Sequence, residues 1–261
     1  MVAPHVRPLH LLVMAGGLGA RARRADAEPP KQFRQVNGAS LMLWGIRELA
    51  EAPGVVTVTV AVPGSWLAIA RGELAAALLP CAWQVTPGGE TRTGSTCCAL
   101  EALLAGRPVG DDDLIAVHDA ARPFASRHLL ARVAAAAEEH GAAVPGVAVA
   151  DTIVEIVPPV GNSGEAAAVA DSAEAQPVAR YLDRGALRAL QTPQVFRGDL
   201  LLAAHRWARE RGLDFTDDGG LLASRGCAPV VVLGEPENWK VTTDADLARA
   251  EALLRARGGR E

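Results

Sequence analysis

Leu9-His10-Leu11-Leu12-Val13-Met14, followed at once by Ala15-Gly16-Gly17-Leu18-Gly19-Ala20-Arg21, is the stretch whose reading decides the fold. A short run rich in Leu and Val reads as a buried first strand, and glycines directly after it mark a strand-to-helix turn. Glycines there let the backbone approach a ligand closely and turn its N–H groups toward anionic oxygens. Arg21, and Lys31 within Pro30-Lys31-Gln32, then place two cations where phosphate oxygens would lie. That combination suits a triphosphate or a similar polyanion. Alone, the glycines fit a plain tight turn equally well. Their spacing lacks the last glycine of G-x-G-x-x-G, and Walker A spacing is absent from the chain.

The rhythm set by that first strand continues. Strand-like runs are Leu9–Met14, Val55–Val62, Trp83–Thr86, Leu114–Val117, Ala142–Val149 and Pro229–Leu233. Helix-period segments lie between them at Leu41–Glu51, Ser65–Leu79, Thr91–Ala105 and Ser126–His140. Ser126 is a fitting N-cap, and Leu129, Leu130, Val133, Ala134 and Ala137 form one apolar stripe after it. A last helix is announced by Thr243 and Asp246 at capping-box spacing, ahead of Leu247, Ala250, Leu253 and Leu254. Alternation of this kind predicts an α/β fold, a mostly parallel sheet flanked by helices. One region departs from it. Asp151–Val157 and Val178–Leu182 read as two strands of a projecting β-arm, joined by a Pro-, Gly- and Ala/Glu-rich tip over Pro158–Pro177.

The 261 residues can bury a substantial core, as one large domain or two small ones. A net charge of −4 gives no general electrostatic reason to bind nucleic acid, so an anion site has to be a local cluster of cations. Cys81, Cys97, Cys98 and Cys227 lack metal-ligand spacing and read as reduced, mostly buried thiols. The N-terminal apolar run is too short for a signal peptide and no stretch is long enough to span a membrane, so a cytoplasmic location is expected.

Several polar clusters sit where open α/β sheets place ligands. His118-Asp119-Ala120-Ala121-Arg122-Pro123 puts Asp119 at the carboxyl end of a strand. A carboxylate beside phosphates would ligate Mg2+, although Asp119 could equally cap the following helix or pair with Arg122. Asn238-Trp239-Lys240-Val241-Thr242 reads as a short strand delivering a lysine, which needs an anionic partner if it is buried. Gly88-Gly89-Glu90-Thr91-Arg92 opens a helix and suits a base or ribose held by backbone groups. Gln191-Thr192-Pro193-Gln194 and Thr216-Asp217-Asp218 precede helical segments, where simple capping is the alternative.

In this order, the segments Ala15–Arg21, Pro30-Lys31-Gln32, Gly88–Arg92 with Ser95, Val117–Pro123, Asp151-Thr152, Thr192-Pro193-Gln194, Thr216-Asp217 and Asn238–Thr242 make a chain that resembles the 2-C-methyl-D-erythritol 4-phosphate cytidylyltransferases of the non-mevalonate isoprenoid pathway. The resemblance spans nearly the whole chain. It implies a Rossmann-like nucleotidyltransferase fold, a single domain over 1–261 with 151–183 as a dimerisation arm, a homodimer, CTP and Mg2+. By position, Ala15, Gly16, Gly17, Gly19 and Arg21 would wrap the triphosphate. Lys31 and Lys240 would join Arg21 on the phosphates, Gly89, Glu90 and Ser95 would hold the cytidine, and Asp119 would bind the metal. Thr152 and Arg184 would reach the partner subunit's sugar phosphate, with Arg122, Thr192 and Thr216 lining that pocket. Three extra residues between Arg21 and Lys31, Gly94 in place of an acidic residue and Glu90 in place of Asp depart from the family pattern. Three other readings compete. Ribitol 5-phosphate cytidylyltransferases share most of these segments. A nicotinamide-dependent dehydrogenase is disfavoured by Ala61-Val62-Pro63-Gly64, which offers no acidic residue after the second strand. A non-catalytic nucleotide-binding homologue would have no need of the full set of cations and carboxylate.

Overall fold

The computed structural model describes residues 7–16, 29–157 and 175–258. Gly17, Gly19, Arg21 and most of the arm's tip lie outside these residues.

The predicted buried strand forms as β1 (Leu9–Met14), with every residue buried. After a short hairpin, β2 (Gln35–Val36) with β3 (Ala39–Ser40), the chain enters α1 (Leu41–Ala50). Ser40 caps α1 by accepting from the Leu43 N–H at 3.2 Å. Then come β4 (Val55–Val62), α2 (Leu67–Ala76), β5 (Ala82–Pro87), α3 (Arg92–Gly106), β6 (Leu114–Asp119), α4 (Arg127–His140) and β7 (Ala142–Ala148). α2 is shorter than the helix predicted over Ser65–Leu79, because Gly64–Trp66 forms a separate 3-10 turn and Leu78 takes a left-handed φ of 51°. The Ser126 side chain accepts from the Leu129 N–H at 3.0 Å, as its position predicts.

β1 lies at the centre, parallel to β4 on one side and β6 on the other, and β5 extends the β4 side. Both neighbours of β1 are reached by crossovers running in opposite directions, so the crevice over the carboxyl ends of β1 and β6 is a topological switch point. Beyond β6 the sheet departs from the sequence reading. β10 (Arg188–Leu190) and β11 (Gln194–Arg197) run antiparallel to β7, and β11 inserts between β7 and β6. β12 (Val230–Leu233) returns to a parallel pairing with β7.

The sheet is covered on both faces. Leu11, Val13, Val58 and Val60 join α1, α2 and α4 in one core, while Leu12, Ile115, Val117 and Phe196 face α3, α5 (Gly198–Glu210) and α6 (Asp218–Ser224) in another. This is why β1 shows no apolar–polar alternation. The last helix, α7 (Asp244–Gly258), packs in a third cluster with Leu41, Phe124 and Val241. Its capping box closes in both directions, Asp246 N–H to Thr243 Oγ1 at 3.1 Å and Thr243 N–H to Asp246 Oδ2 at 2.8 Å.

The predicted arm forms as an antiparallel pair, β8 (Val154–Ile156) with β9 (Val178–Tyr181). Arg180 and Glu155 cross it at 2.7 Å, and Ile156, Val157, Val178 and Tyr181 are exposed along it. Asn238–Thr242 is not the strand its sequence suggested. It is an irregular extended segment joined to the end of β6 through the Val241 N–H, which donates to Ala121 O at 2.8 Å.

Candidate nucleotide site

Strand register brings the first two motifs together. Met14, the last residue of β1, pairs with Asp119, the last residue of β6, and the Ala120 N–H donates to Met14 O at 3.0 Å. Asp119 therefore stands beside Ala15, where the glycine turn begins. On the other side, Gly16 packs on the turn between β5 and α3. A Cβ on Gly16 would lie 3.0 Å from Ser95 Oγ. Ser95 is buried, with its hydroxyl 2.9 Å from Thr91 O and 3.2 Å from Gly89 O. Gln32 closes the loop from below by donating to Ala15 O at 2.8 Å.

Gly89 is required by close approach rather than by torsion. A Cβ there would lie 2.6 Å from the backbone carbon of Gly94, a contact that no side-chain rotation relieves. The glycine at position 94, where the family pattern has an acidic residue, is the other half of this contact. Gly89→Ala is expected to push the 88–95 turn outward and weaken nucleotide binding at least tenfold, since a misplacement of about 1 Å near a reacting centre can cost about 100-fold. Titration calorimetry with CTP measures this, and affinity within twofold of the parent would contradict it.

The charges converge on Asp119. Lys240 Nζ donates to its Oδ2 at 2.8 Å, and Arg92 Nε lies 3.6 Å from its Oδ1. Burial alone would raise the Asp119 carboxyl, but Lys240 and Arg92 outweigh it and hold the pKa at about 2, so the group is ionised at neutral pH. Lys31, in the turn Lys31–Phe33, reaches the C-terminal segment that carries Lys240, its Nζ donating to Thr242 O and lying 3.6 Å from Asp244.

The sequence shows Arg92 and Asp218 only within turns that precede helices, with no charge partner, and does not single out His205. Arg92 is held on its other side by Asp218 at 3.0 Å and by Thr96 Oγ1 at 2.5 Å. Asp218 is in turn 2.8 Å from His205 Nε2, and Cys97 Sγ is 3.4 Å from His205 Nδ1. Burial works against the charged form of His205, yet Asp218 and Cys97 lift its pKa to about 9. One signal did exist. Arg92 is the first residue of a helix whose opening turn holds no acidic residue, a place where a cation opposes the helix dipole and needs an anionic partner.

The remaining predicted residues are spread around this cluster. Thr192, buried, precedes a cis proline, and its Oγ1 accepts from the Asp119 N–H at 3.0 Å. Arg122 is turned onto backbone carbonyls, with Nη1 2.8 Å from Asn238 O and Nη2 3.3 Å from Leu190 O. Glu90 and Thr216 are exposed at the rim. Asp217, next to Thr216, caps α6 through Gly220 N–H at 2.9 Å and accepts from Gln194 Nε2 at 2.8 Å. Thr152 and Arg184 sit exposed at the base of the arm, where Arg184 donates to Ala150 O at 2.6 Å. Gly17, Gly19 and Arg21 fall outside the described residues.

A Rossmann-like sheet with a close-packed glycine turn and a cation-held carboxylate at its switch point is the architecture of nucleotide-binding α/β proteins. The sequence matches the family model IspD, 2-C-methyl-D-erythritol 4-phosphate cytidylyltransferase, over residues 9–256, and the chain belongs to that family. It is 35% identical over 251 residues to a bifunctional enzyme IspD/IspF of Bradyrhizobium sp. (strain ORS 278), covering 96% of this chain and 57% of that protein. A second relative of the same description, from Rhodopseudomonas palustris (strain BisB18), is 37% identical, covering 94% of this chain and 55% of its own length. The chain thus spans little more than half the length of these curated relatives. Among solved structures, the 2-C-methyl-D-erythritol 4-phosphate cytidylyltransferase of Thermus thermophilus is 33% identical, with TM-score 0.68 over 95% of this chain and 99% of that one. A 4-diphosphocytidyl-2C-methyl-D-erythritol synthase from Anaerococcus prevotii DSM 20548, 22% identical, shares the fold at TM-score 0.75 over 95% of this chain and 99% of that one.

Proposed function

We propose that this chain transfers CMP from CTP to 2-C-methyl-D-erythritol 4-phosphate, releasing pyrophosphate. The observation that carries this reading is the meeting of Asp119, Lys240 and Arg92 beside the start of the glycine turn, in a chain of this family.

A phosphate monoester carries close to two negative charges at neutral pH and is its own nucleophile, so the site needs no general base. One of its oxygens bonds to the α-phosphorus of CTP as the bond to the β-phosphate oxygen breaks, and pyrophosphate leaves. The barrier is dominated by bringing two polyanions in line, which positioning and preorganised cations lower. In this reading Lys31 and Lys240 neutralise phosphate oxygens, together with Arg21. The backbone at Ala15 and Gly16 accompanies Gly17 and Gly19 around the triphosphate. The turn at Gly89, Glu90 and Ser95 takes the cytidine, and Arg122, Thr192 and Thr216 line the sugar-phosphate side.

The donor set fits Mg2+, because one ionised carboxylate at a phosphate site matches a hard cation that keeps most of its waters. Asp119 would hold it, and when bound it would polarise phosphate oxygens as a Lewis acid. The exposed apolar row of the arm supports a homodimer in which residues 151–183 pair with a second copy and carry Thr152 and Arg184 to its sugar phosphate. We take residues 1–261 as one domain on the same basis.

The test is pyrophosphate release from CTP with each sugar phosphate supplied separately. Release with 2-C-methyl-D-erythritol 4-phosphate is the expected result. Faster release with ribitol 5-phosphate would move the assignment to that substrate, and none with either would overturn it.

A further inference from the structure

Four residues around the site close a ring of hydrogen bonds whose members lie far apart in sequence. His118 Nε2 meets Arg122 O at 3.1 Å, and His118 Nδ1 meets Thr192 Oγ1 at 3.0 Å. Thr192 O accepts from Asn238 Nδ2 at 2.8 Å, and Asn238 O accepts from Arg122 Nη1 at 2.8 Å. His118 and Asn238 are fully buried and Thr192 nearly so. The ring ties the end of β6 to the turn between β10 and β11 and to the segment that carries Lys240.

The ring has two outlets. One is Thr192 Oγ1, which also accepts from the Asp119 N–H at 3.0 Å and so fixes the backbone of the carboxylate. The other is Arg122, held by His118 at its carbonyl and by Asn238 at its guanidinium. Arg122 O can only accept, so Nε2 of His118 carries a proton, and each imidazole nitrogen serves a different side of the site. Buried polar groups in a closed network rigidify what they touch, and their removal leaves a partner unsatisfied.

We propose that His118 is a positioning residue with two separable arms, its Nδ1 registering the nucleotide side through Thr192 and Asp119, and its Nε2 registering the sugar-phosphate side through Arg122. This rests on the functional reading above. Both nitrogens are taken up by protein partners, Arg122 O and Thr192 Oγ1, so the effect is one of placement. Losing a partner in this second layer costs about 10–100-fold where the group it supports is functional.

The geometry allows the two arms to be cut one at a time. In His118→Asn the amide sits near the Nδ1 position and keeps the link to Thr192, while the link to Arg122 is lost. In His118→Gln the amide reaches the Nε2 position, which reverses the pattern. His118→Asn is expected to raise KM for the sugar phosphate about tenfold and leave CTP affinity, measured by calorimetry without sugar phosphate, within twofold. His118→Gln is expected to weaken CTP affinity about tenfold and leave the sugar-phosphate KM within twofold. Thr192→Val should weaken CTP affinity about as much as His118→Gln does, and Thr192→Ser should restore it, so the nucleotide arm stays testable if either histidine variant fails to fold. Variants that lose thermal stability with unchanged constants, or that move both substrates equally, overturn it. A parent chain that binds no CTP overturns the functional reading, and this inference with it.

Discussion

Lys240→Ala is expected to lower turnover about 10²–10³-fold, the loss seen when one preorganised donor to a developing oxyanion is removed, while the chain remains folded. Asp119 is largely buried, with 16% of its side chain exposed, and burial by itself disfavours its charge. Lys240 and Arg92 together reverse that preference, but Arg92 is shared with Asp218. Without Lys240, Asp119 is left with a guanidinium that it shares with Asp218, whereas Asp218 also has His205. The Asp119 pKa rises, the carboxylate is a poorer metal ligand, and the phosphates lose a cation at the same time. Folding should survive because Lys240 is about half exposed and the α7 capping box does not involve it. Steady-state pyrophosphate release beside a thermal unfolding curve measures both. Lys240→Arg should recover part of the activity, since it restores charge without the same reach. Near-normal turnover in Lys240→Ala would remove this lysine from the site, and Asp119 would then need another explanation for its buried charge.

That lysine also shows how far a sequence can be read. β1, β4 and β6 are legible because both faces are covered, which makes them short continuous apolar runs. β11 is not, since Gln194–Arg197 is four residues long and opens on a glutamine turned toward Asp217. It therefore reads as a polar prelude to α5, and its antiparallel insertion between β6 and β7 depends on partners no local pattern names. Asn238–Thr242 misleads in the opposite way. Its alternation suggests a strand, but Asn238 is buried to bond Thr192 O and Trp239 lies tilted against Phe124 with ring centroids 4.6 Å apart. Tertiary contacts imitate a period of two.

The candidate site divides along the same line. Asp119, Ser95 and the glycines are visible because strand ends and turns announce them. Arg92, Asp218 and His205 are invisible as a group, since each looks like ordinary helix surface until α3, α5 and α6 are packed. Gly94 is an apparent defect in the family pattern. In the structure a Cβ there would meet Gly89 Cα at 3.6 Å, an ordinary contact, and Thr91 Oγ1 at 3.3 Å, so the close approach constrains Gly89 and leaves the glycine at 94 without a structural reason.

The pair His205–Asp218 carries the largest expected effect on stability. Both side chains are almost fully buried, 4% and 3% exposed, at 2.8 Å. The His205 pKa in the folded chain is about 9, above its ordinary value of 6.5, because Asp218 and Cys97 outweigh the burial that would lower it. A raised pKa means that the folded state holds the proton more tightly than the unfolded state. The contribution is complete below about pH 6.5 and is lost as pH rises through about 9. The separation corresponds to roughly 3 kcal/mol. Asp218 moves the other way. Burial would raise it, but Arg92 and His205 hold it below its ordinary value, so its share is lost only in acid. Denaturant unfolding at pH 6 and pH 9 should therefore show His205 withdrawing about 3 kcal/mol across this window, partly offset by His10 and His118, whose burial-lowered pKa values favour the folded chain as pH rises. His205→Gln keeps a donor to Asp218 but does not titrate there, so it should lose markedly less over the same window. At pH 6 it should be the less stable chain, by about 3–5 kcal/mol if Asp218 is left underpaired, as when one partner of a buried ion pair is removed. Equal pH dependence in the two chains would mean that His205 is buried uncharged, and Asp218 would then depend on Arg92, while Lys240 still pairs with Asp119.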